Sequence, residues 1–369
     1  MNGRLAVTAW SAISPFGHGR TEFTAGLRAA RATAAEPDRG RWPVEDDEVC
    51  VVPDFDVRKL LGDKRVRSMN RATGLAVATA ADLLARLTEH DGTGEDTAVV
   101  LGTTTGSVAS MMGLTRASLV GERPDHIEPA LVPSCVMNFS AGQVAIWHQI
   151  KGPNATIAAG RNTGPHVLNY ARRLLFTDRA RRVLCGAVEE FSVERSRLER
   201  CARGGRPPAV PLGEGCAMVA LEMPGAVAAR GERPLATVLG FGSGTGPSDD
   251  VAGTTRRAVS GLLARASVTR AAVRVACTAA GDAGQDAALR DLFGEAATDR
   301  LRLSGLIGDT ASAAGLFVLL ELLVLAETDH DVIGAPAIIA SADDDGAVSC
   351  VLVIPHEPAG LAASMPVGA

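Results

Sequence analysis

Cysteine and histidine, which can supply a nucleophile or a metal ligand, form no working constellation in this chain. The seven cysteines (Cys50, Cys135, Cys185, Cys201, Cys216, Cys277 and Cys350) are scattered and odd in number, with no Cys-x-x-Cys pair. No Cys/His grouping has metal-ligand spacing, so no metal site is expected. Reduced thiols serving as small core residues account for the pattern. A thiol that attacks an acyl group needs a base beside it and a partner that orients the base. Cys135 and Cys201 are the candidates for that role, and no His or Asp set accompanies either. His148 reads as a core or interface histidine.

The elements that would position any site alternate in type. Strand-like runs fall at Leu5–Ala9, Ala98–Leu101, Ala155–Ala159, Arg182–Cys185, Cys216–Glu222, Ala236–Phe241, Val273–Cys277, Ala337–Ser341 and Val348–Ile354. Helical periodicity marks Arg71–Thr88, Gly142–Ile150, Pro165–Leu175, Val251–Ala266, Ala287–Ala297 and Ala311–Glu327. Such alternation predicts α/β layers. The polar turn Ala228–Pro234 divides the chain into residues 1–232 and 233–369. Ala32–Glu48 is expected to be a surface loop, and the tail from Glu357 to fray.

Composition narrows the function classes. The 369 residues carry a net charge of −5, with 46% hydrophobic and 21% charged residues. That suits a globular chain with a sizeable core. The scarcity of aromatics, 4%, means the core is built from Ala, Val and Leu. No basic block is present, which argues against a nucleic-acid partner. No signal peptide or spanning segment is read, so a cytoplasmic location without a membrane partner is expected.

The opening Leu5-Ala6-Val7-Thr8-Ala9-Trp10-Ser11-Ala12-Ile13-Ser14-Pro15-Phe16-Gly17 resembles the first strand and loop of β-ketoacyl synthases. Further segments are similar in the same order: Lys64–Leu84, Val99–Thr103, Asn138–Ile146, Lys151-Gly152-Pro153 leading to Thr163-Gly164, Val183–Glu189, and Leu212–Gly215 with Val219–Glu222. Weaker echoes follow at Gly281-Asp282 and Ser312–Gly315. The resemblance implies an α/β thiolase-like fold of two related halves in a layered αβαβα arrangement, assembled as a dimer.

A ketosynthase holds its acyl chain on a Cys thiolate at a helix N-terminus, where free N–H groups favour an anion. Two His, a Lys and a Gly-rich loop complete the family's site. Counted onto this sequence, the Cys position is Arg161, the first His Arg274, the second His Asp309 and the Lys Ser304. Asp343-Asp344-Asp345-Gly346 replaces the Gly-rich loop. An arginine has no thiol and stays protonated. A buried arginine requires an anionic partner. Asp309 is the facing candidate, with Glu189, Glu190 or an outward-turned side chain as alternatives.

A silent site of this kind resembles the chain-length factor of type II polyketide synthases, although that subunit typically carries Gln where Arg161 stands. The resemblance implies a heterodimer with an active ketosynthase, with acyl chains arriving on the phosphopantetheine of an acyl carrier protein and no cofactor of the chain's own. Tunnel-gating positions carry over to Val108, Met111 and Thr115, which share one helical face. Their modest size favours a linear, polyene-type chain. Asn138–Ile150 matches the family's dimer-forming segment, and Ala155–Ala159 the strand that pairs across the dimer axis. From Glu190 to Leu212 the connection is shorter than usual and lacks the family's Arg-Pro-Phe-Asp segment. Two other readings remain: a thiolase-fold acyltransferase or hydrolase using another nucleophile, and a homodimeric carrier-protein-binding scaffold.

Overall fold

The computed structural model describes residues 3–87, 93–279 and 282–357. Its first series of elements runs β1 (Leu5–Ser14), α1 (Arg71–Leu84), β2 (Thr97–Gly102), α2 (Val108–Val120), α3 (Phe139–His148), β3 (Asn154–Ile157), α4 (Thr163–Phe176), β4 (Arg182–Glu189) and β5 (Gly215–Glu222). The second runs β6 (Ala236–Thr245), α5 (Val251–Ala266), β7 (Val275–Thr278), α6 (Ala283–Phe293), α7 (Leu303–Ile307), α8 (Ala314–Leu325), β8 (Ala337–Ala342) and β9 (Ala347–Pro355).

The two series repeat one pairing scheme. In the first, β2 lies parallel to β4, β4 antiparallel to β5, and β5 antiparallel to β1. In the second, β7 lies parallel to β8, β8 antiparallel to β9, and β9 antiparallel to β6. β3 extends the first series at its outer edge, parallel to β2; among the described residues the second has no equivalent. The halves are joined where β1 and β6 pair at Leu5↔Val238, Ala6↔Thr237 and Val7↔Ala236.

Successive strand residues face opposite sides, and both sides are buried along most of β1, β2, β4, β5, β7, β8 and β9. Outward from the first half, Val99, Leu101 and Leu184 pack on Leu75, Leu83 and Val144 of α1 and α3. Outward from the second, Ile338, Cys350 and Leu352 pack on Val259, Leu262 and Leu289 of α5 and α6. The inward faces, including Val100, Val183, Ile339 and Val351, enclose α4 and α8. Five layers in the order αβαβα result, the thiolase-like arrangement.

α8 is buried along Ala314–Val324, Glu321 included. A helix apolar on all sides belongs in a core, and each large side chain there contributes roughly 1.5–3 kcal/mol of burial. α4 is amphipathic, burying Gly164, Val167, Leu168, Ala171 and Leu175. Its Pro165 falls in the first turn, where the missing N–H costs no helical bond.

Most sequence-expected elements stand within a few residues of their places. α6 begins earlier than the expected Ala287–Ala297, because Asp282 caps it by accepting from Gln285 N (2.7 Å) and Gly294, at φ +79°, stops it. Ala32–Glu48 is largely exposed, yet Val44 and Asp46 are buried, and Trp42 meets Phe191 edge-on at 5.5 Å. Gly281, Thr88 and residues 358–369 lie outside the described residues.

Candidate functional site

The site forms where the repeat brings two helix starts together. α4 is preceded by the turn Gly160–Asn162 and α8 by the turn Ala311–Ala313. The helices meet at glycines: a Cβ on Gly164 would lie 3.0 Å from Gly315 Cα. Only small residues allow backbones so close.

Arg161 and Asp309 project from these two starts and bind each other. Arg161 donates through both terminal nitrogens, 2.8 Å to Asp309 Oδ1 and 2.6 Å to Oδ2. This two-pronged geometry is the strong form of a guanidinium–carboxylate pair. The side chains are only 27% and 15% exposed. Burial alone would push the Asp309 carboxyl up. The charge and hydrogen bonds of Arg161, with Arg195 and the Ala311 N–H, outweigh it and hold the group below the usual carboxylate range. Burial likewise opposes the Arg161 charge, and Asp309 more than restores it.

The alternative partners are engaged elsewhere. Glu189 accepts from the Thr104 hydroxyl and from Ser312 N (3.3 Å). Glu190 accepts from Ser107 Oγ (2.7 Å) and Ala72 N (3.0 Å). Burial, aided by Glu214 and Glu189 and opposed by those hydrogen bonds, pushes Glu190 up to about 7.

Asp309 is held by its backbone as well. Its N–H donates to Pro211 O (2.8 Å), and its carbonyl accepts from Gly213 N (2.8 Å) and Arg195 Nη2 (3.1 Å). Arg195 also clamps the carbonyls of Glu190 (3.1 Å) and Gly213 (2.7 Å). Nothing in Val193-Glu194-Arg195-Ser196-Arg197 distinguishes this arginine from its neighbours, so the sequence alone misses it.

The other family positions are not gathered with the pair. Arg274 is exposed before the first residue of β7, donating to Ala271 O (2.7 Å). β7 runs parallel to β8, whose far end leads to the Asp343 turn next to Arg161, so the site end of β7 is Thr278. Arg274 is four residues back, about 13 Å of strand. Thr278 donates to Asp286 (2.6 Å). Ser304, on α7, lines a cleft of about 370 Å3 with Cys277, Thr278 and Asp286.

Of the gating positions, Val108 is buried at the start of α2, while Met111 and Thr115 are exposed, the Thr115 hydroxyl donating to Met111 O (2.9 Å). The remaining thiols offer little chemistry. Burial pushes the Cys216 and Cys350 thiols up to about 12 and raises those of Cys50, Cys185 and Cys277. Cys135 Sγ faces the Ser110 carbonyl (3.3 Å), and Cys201 is exposed. His148 Nε2 meets Val77 O (3.0 Å) between α3 and α1. Among the described residues no group of His, Cys, Asp and Glu could hold a metal ion, and no single helix is long and apolar enough to cross a membrane.

Residues 2–205 match the family model described as the β-ketoacyl synthase N-terminal domain. The chain belongs to the β-ketoacyl synthase family. The 3-oxoacyl-[acyl-carrier-protein] synthase 2 of Rhizobium meliloti (strain 1021) is 26% identical over 399 residues, covering 96% of this chain and 92% of that protein. Its namesake in Vibrio harveyi is 25% identical, covering 83% and 80%. Among solved structures, the ishigamide ketosynthase/chain length factor superposes with TM-score 0.90 at 36% identity, over 95% of this chain and 99% of that one. A type II polyketide synthase acyl-carrier protein in complex with its ketosynthase bound to the hexaketide (AntDE:AntF) superposes with TM-score 0.78 at 18% identity, over 95% and 99%, a likeness of fold.

Proposed function

We propose that this chain is a non-catalytic chain-length-factor subunit, which pairs with an active ketosynthase and shapes the tunnel that sets polyketide chain length. The observation that carries the reading is the pair Arg161–Asp309: a permanent cation and its counter-ion fill the place where the family holds a thiolate and a histidine. Similarity to a solved ketosynthase/chain length factor supports it.

The surface has the form such a subunit needs. β3 ends the sheet with one open edge, which invites pairing with another strand. Met111, Met112, Leu119, Val120, Val136 and Met137 are also exposed. Exposed apolar area of this kind marks a partner surface, and an obligate pair buries more than about 2,000 Å2. An active ketosynthase, built on the same fold, is the partner proposed. It would supply the thiolate, while an acyl carrier protein delivers the chain on phosphopantetheine and this subunit contributes Val108, Met111 and Thr115 to the tunnel wall. Side chains of this size suit a linear, polyene-type product, made in the cytoplasm.

Co-expression with candidate ketosynthases is expected to yield a stable one-to-one heterodimer. In the reconstituted pair Met111→Phe should shorten the product and Met111→Ala lengthen it or leave it unchanged. Condensation of malonyl and acyl thioesters by the chain alone would overturn the proposal, and so would a homodimer indifferent to every ketosynthase offered.

A further inference from the structure

The pair is not the only barrier at this site. Asp343 opens the turn between β8 and β9, and its carboxylate accepts from Asp344 N (3.2 Å) and lies against the Gly160–Arg161 backbone. A Cβ on Gly160 would fall 1.7 Å from Asp343 Oδ2, so one carboxylate oxygen lies against the glycine. The turn is tied in place. Asp343 N donates to Ala347 O (2.9 Å) and Gly346 N to Asp343 O (3.0 Å). Asn162, one residue past Arg161, donates to Ala347 O (3.1 Å) and accepts from Ser349 Oγ (2.6 Å).

The amide of Arg161 is the group that a thiolate or an acyl oxyanion at this position would use. Backbone N–H groups at a helix start stabilise such an anion only while they are free to bind it. Here the Asp343 carboxylate of the same molecule already lies at that helix start.

We propose that Asp343 acts as an internal anion that occupies the backbone-amide pocket at Gly160–Arg161, a second lock that keeps the site silent even when a thiol is restored. Arg161 removes the nucleophile; Asp343 removes the amide that would stabilise one and places a negative charge where a thiolate would form. Asp309 and Asp344 also carry charge toward this point, so the test separates them. The inference does not rest on the choice of partner, and a failed co-purification would leave it standing.

The test restores a thiol in a background without the facing carboxylate, R161C/D309N, and reads alkylation of the introduced thiol by iodoacetamide (the S–C bond forms and iodide leaves). Peptide mass spectrometry isolates this site from Cys135 and Cys201. Adding D343N is expected to speed alkylation near pH 7.5 by about four- to tenfold, the range for a thiol pKa lowered by one unit, and to move the pH–rate profile to lower pH. Adding D344N instead should change the rate less than threefold. Equal rates with and without D343N, in variants with matching circular dichroism and melting, would overturn the proposal. An equal gain from D344N would also overturn it, since any lost charge would then suffice. A second readout keeps Arg161 in place: D343A should speed hydrogen exchange at the Arg161 amide and D344A should not, and unchanged exchange in D343A counts against the lock.

Discussion

Removing one member of the Arg161–Asp309 pair leaves a charge in a mostly enclosed place. Arg161→Ala should destabilise the chain by about 2–4 kcal/mol, a little under the cost at a fully buried pair. Replacing both, as R161M/D309L, should recover most of that loss, because matched apolar side chains can stand in for a buried ion pair. Urea unfolding of the two variants and the parent checks both statements. Two buried glutamates give a second prediction. Glu190 and Glu321 are each pushed from 4.5 up to about 7, mainly by burial; Glu321 caps α7 by accepting from Arg302 N (2.8 Å) and Leu303 N (3.3 Å). Their folded-state pKa lies above the unfolded value, so the native state binds the extra proton. Their contribution is complete below about pH 4.5 and is lost as pH rises toward 7. Glu190→Gln and Glu321→Gln should therefore gain on the parent between pH 5 and pH 8, by up to about 3 kcal/mol each. Melting curves across that range test the sign, and a gain toward acid pH would refute it.

At the scale of elements, the site depends on the approach of α4 to α8. Gly164→Ala would set its methyl 3.0 Å from Gly315 Cα and 3.2 Å from Gly315 C, both backbone atoms that cannot rotate away. Overpacking of this kind should cost about 1–3 kcal/mol, and an unchanged melting temperature would show that the helices can part. The elements themselves were readable to different degrees. Val251–Ala266 is helical over the residues its periodicity marks, because Asp250 caps its start and its buried residues recur at helical spacing. α7 is five residues long, too short for periodicity to register. β7 begins two residues after the expected Val273, since Arg270–Ala272 forms a tight turn and Val273 leaves it extended.

At the scale of the whole molecule, the open edge of β3 carries the assembly prediction. Val99 N donates to Pro153 O (2.9 Å) and Thr103 N to Ile157 O (3.1 Å), so the odd-numbered residues of this strand bond inward. The backbone of Thr156 therefore points to the open edge. Thr156→Pro would remove an outward N–H and leave the β2 ladder intact. The expected result is a chain with unchanged circular dichroism that no longer co-purifies with its ketosynthase at a one-to-one ratio in size-exclusion chromatography. Retained pairing would place the interface elsewhere.

Residue types and their order determine what this chain cannot do chemically. Arg161 can be no nucleophile wherever it points, and ordered family segments from Leu5 onward are enough to imply the layered fold. Only tertiary structure decides which charges meet. Arg161 and Asp309 are 148 residues apart and become neighbours because the repeated halves bring two helix starts together. The same packing withdraws Arg274 to the far end of β7, seats Arg195 against the Asp309 backbone and presses Asp343 onto Gly160. Local pattern records which face a residue takes within its own helix or strand. Distances between elements depend on how every layer packs at once, and no single segment carries them.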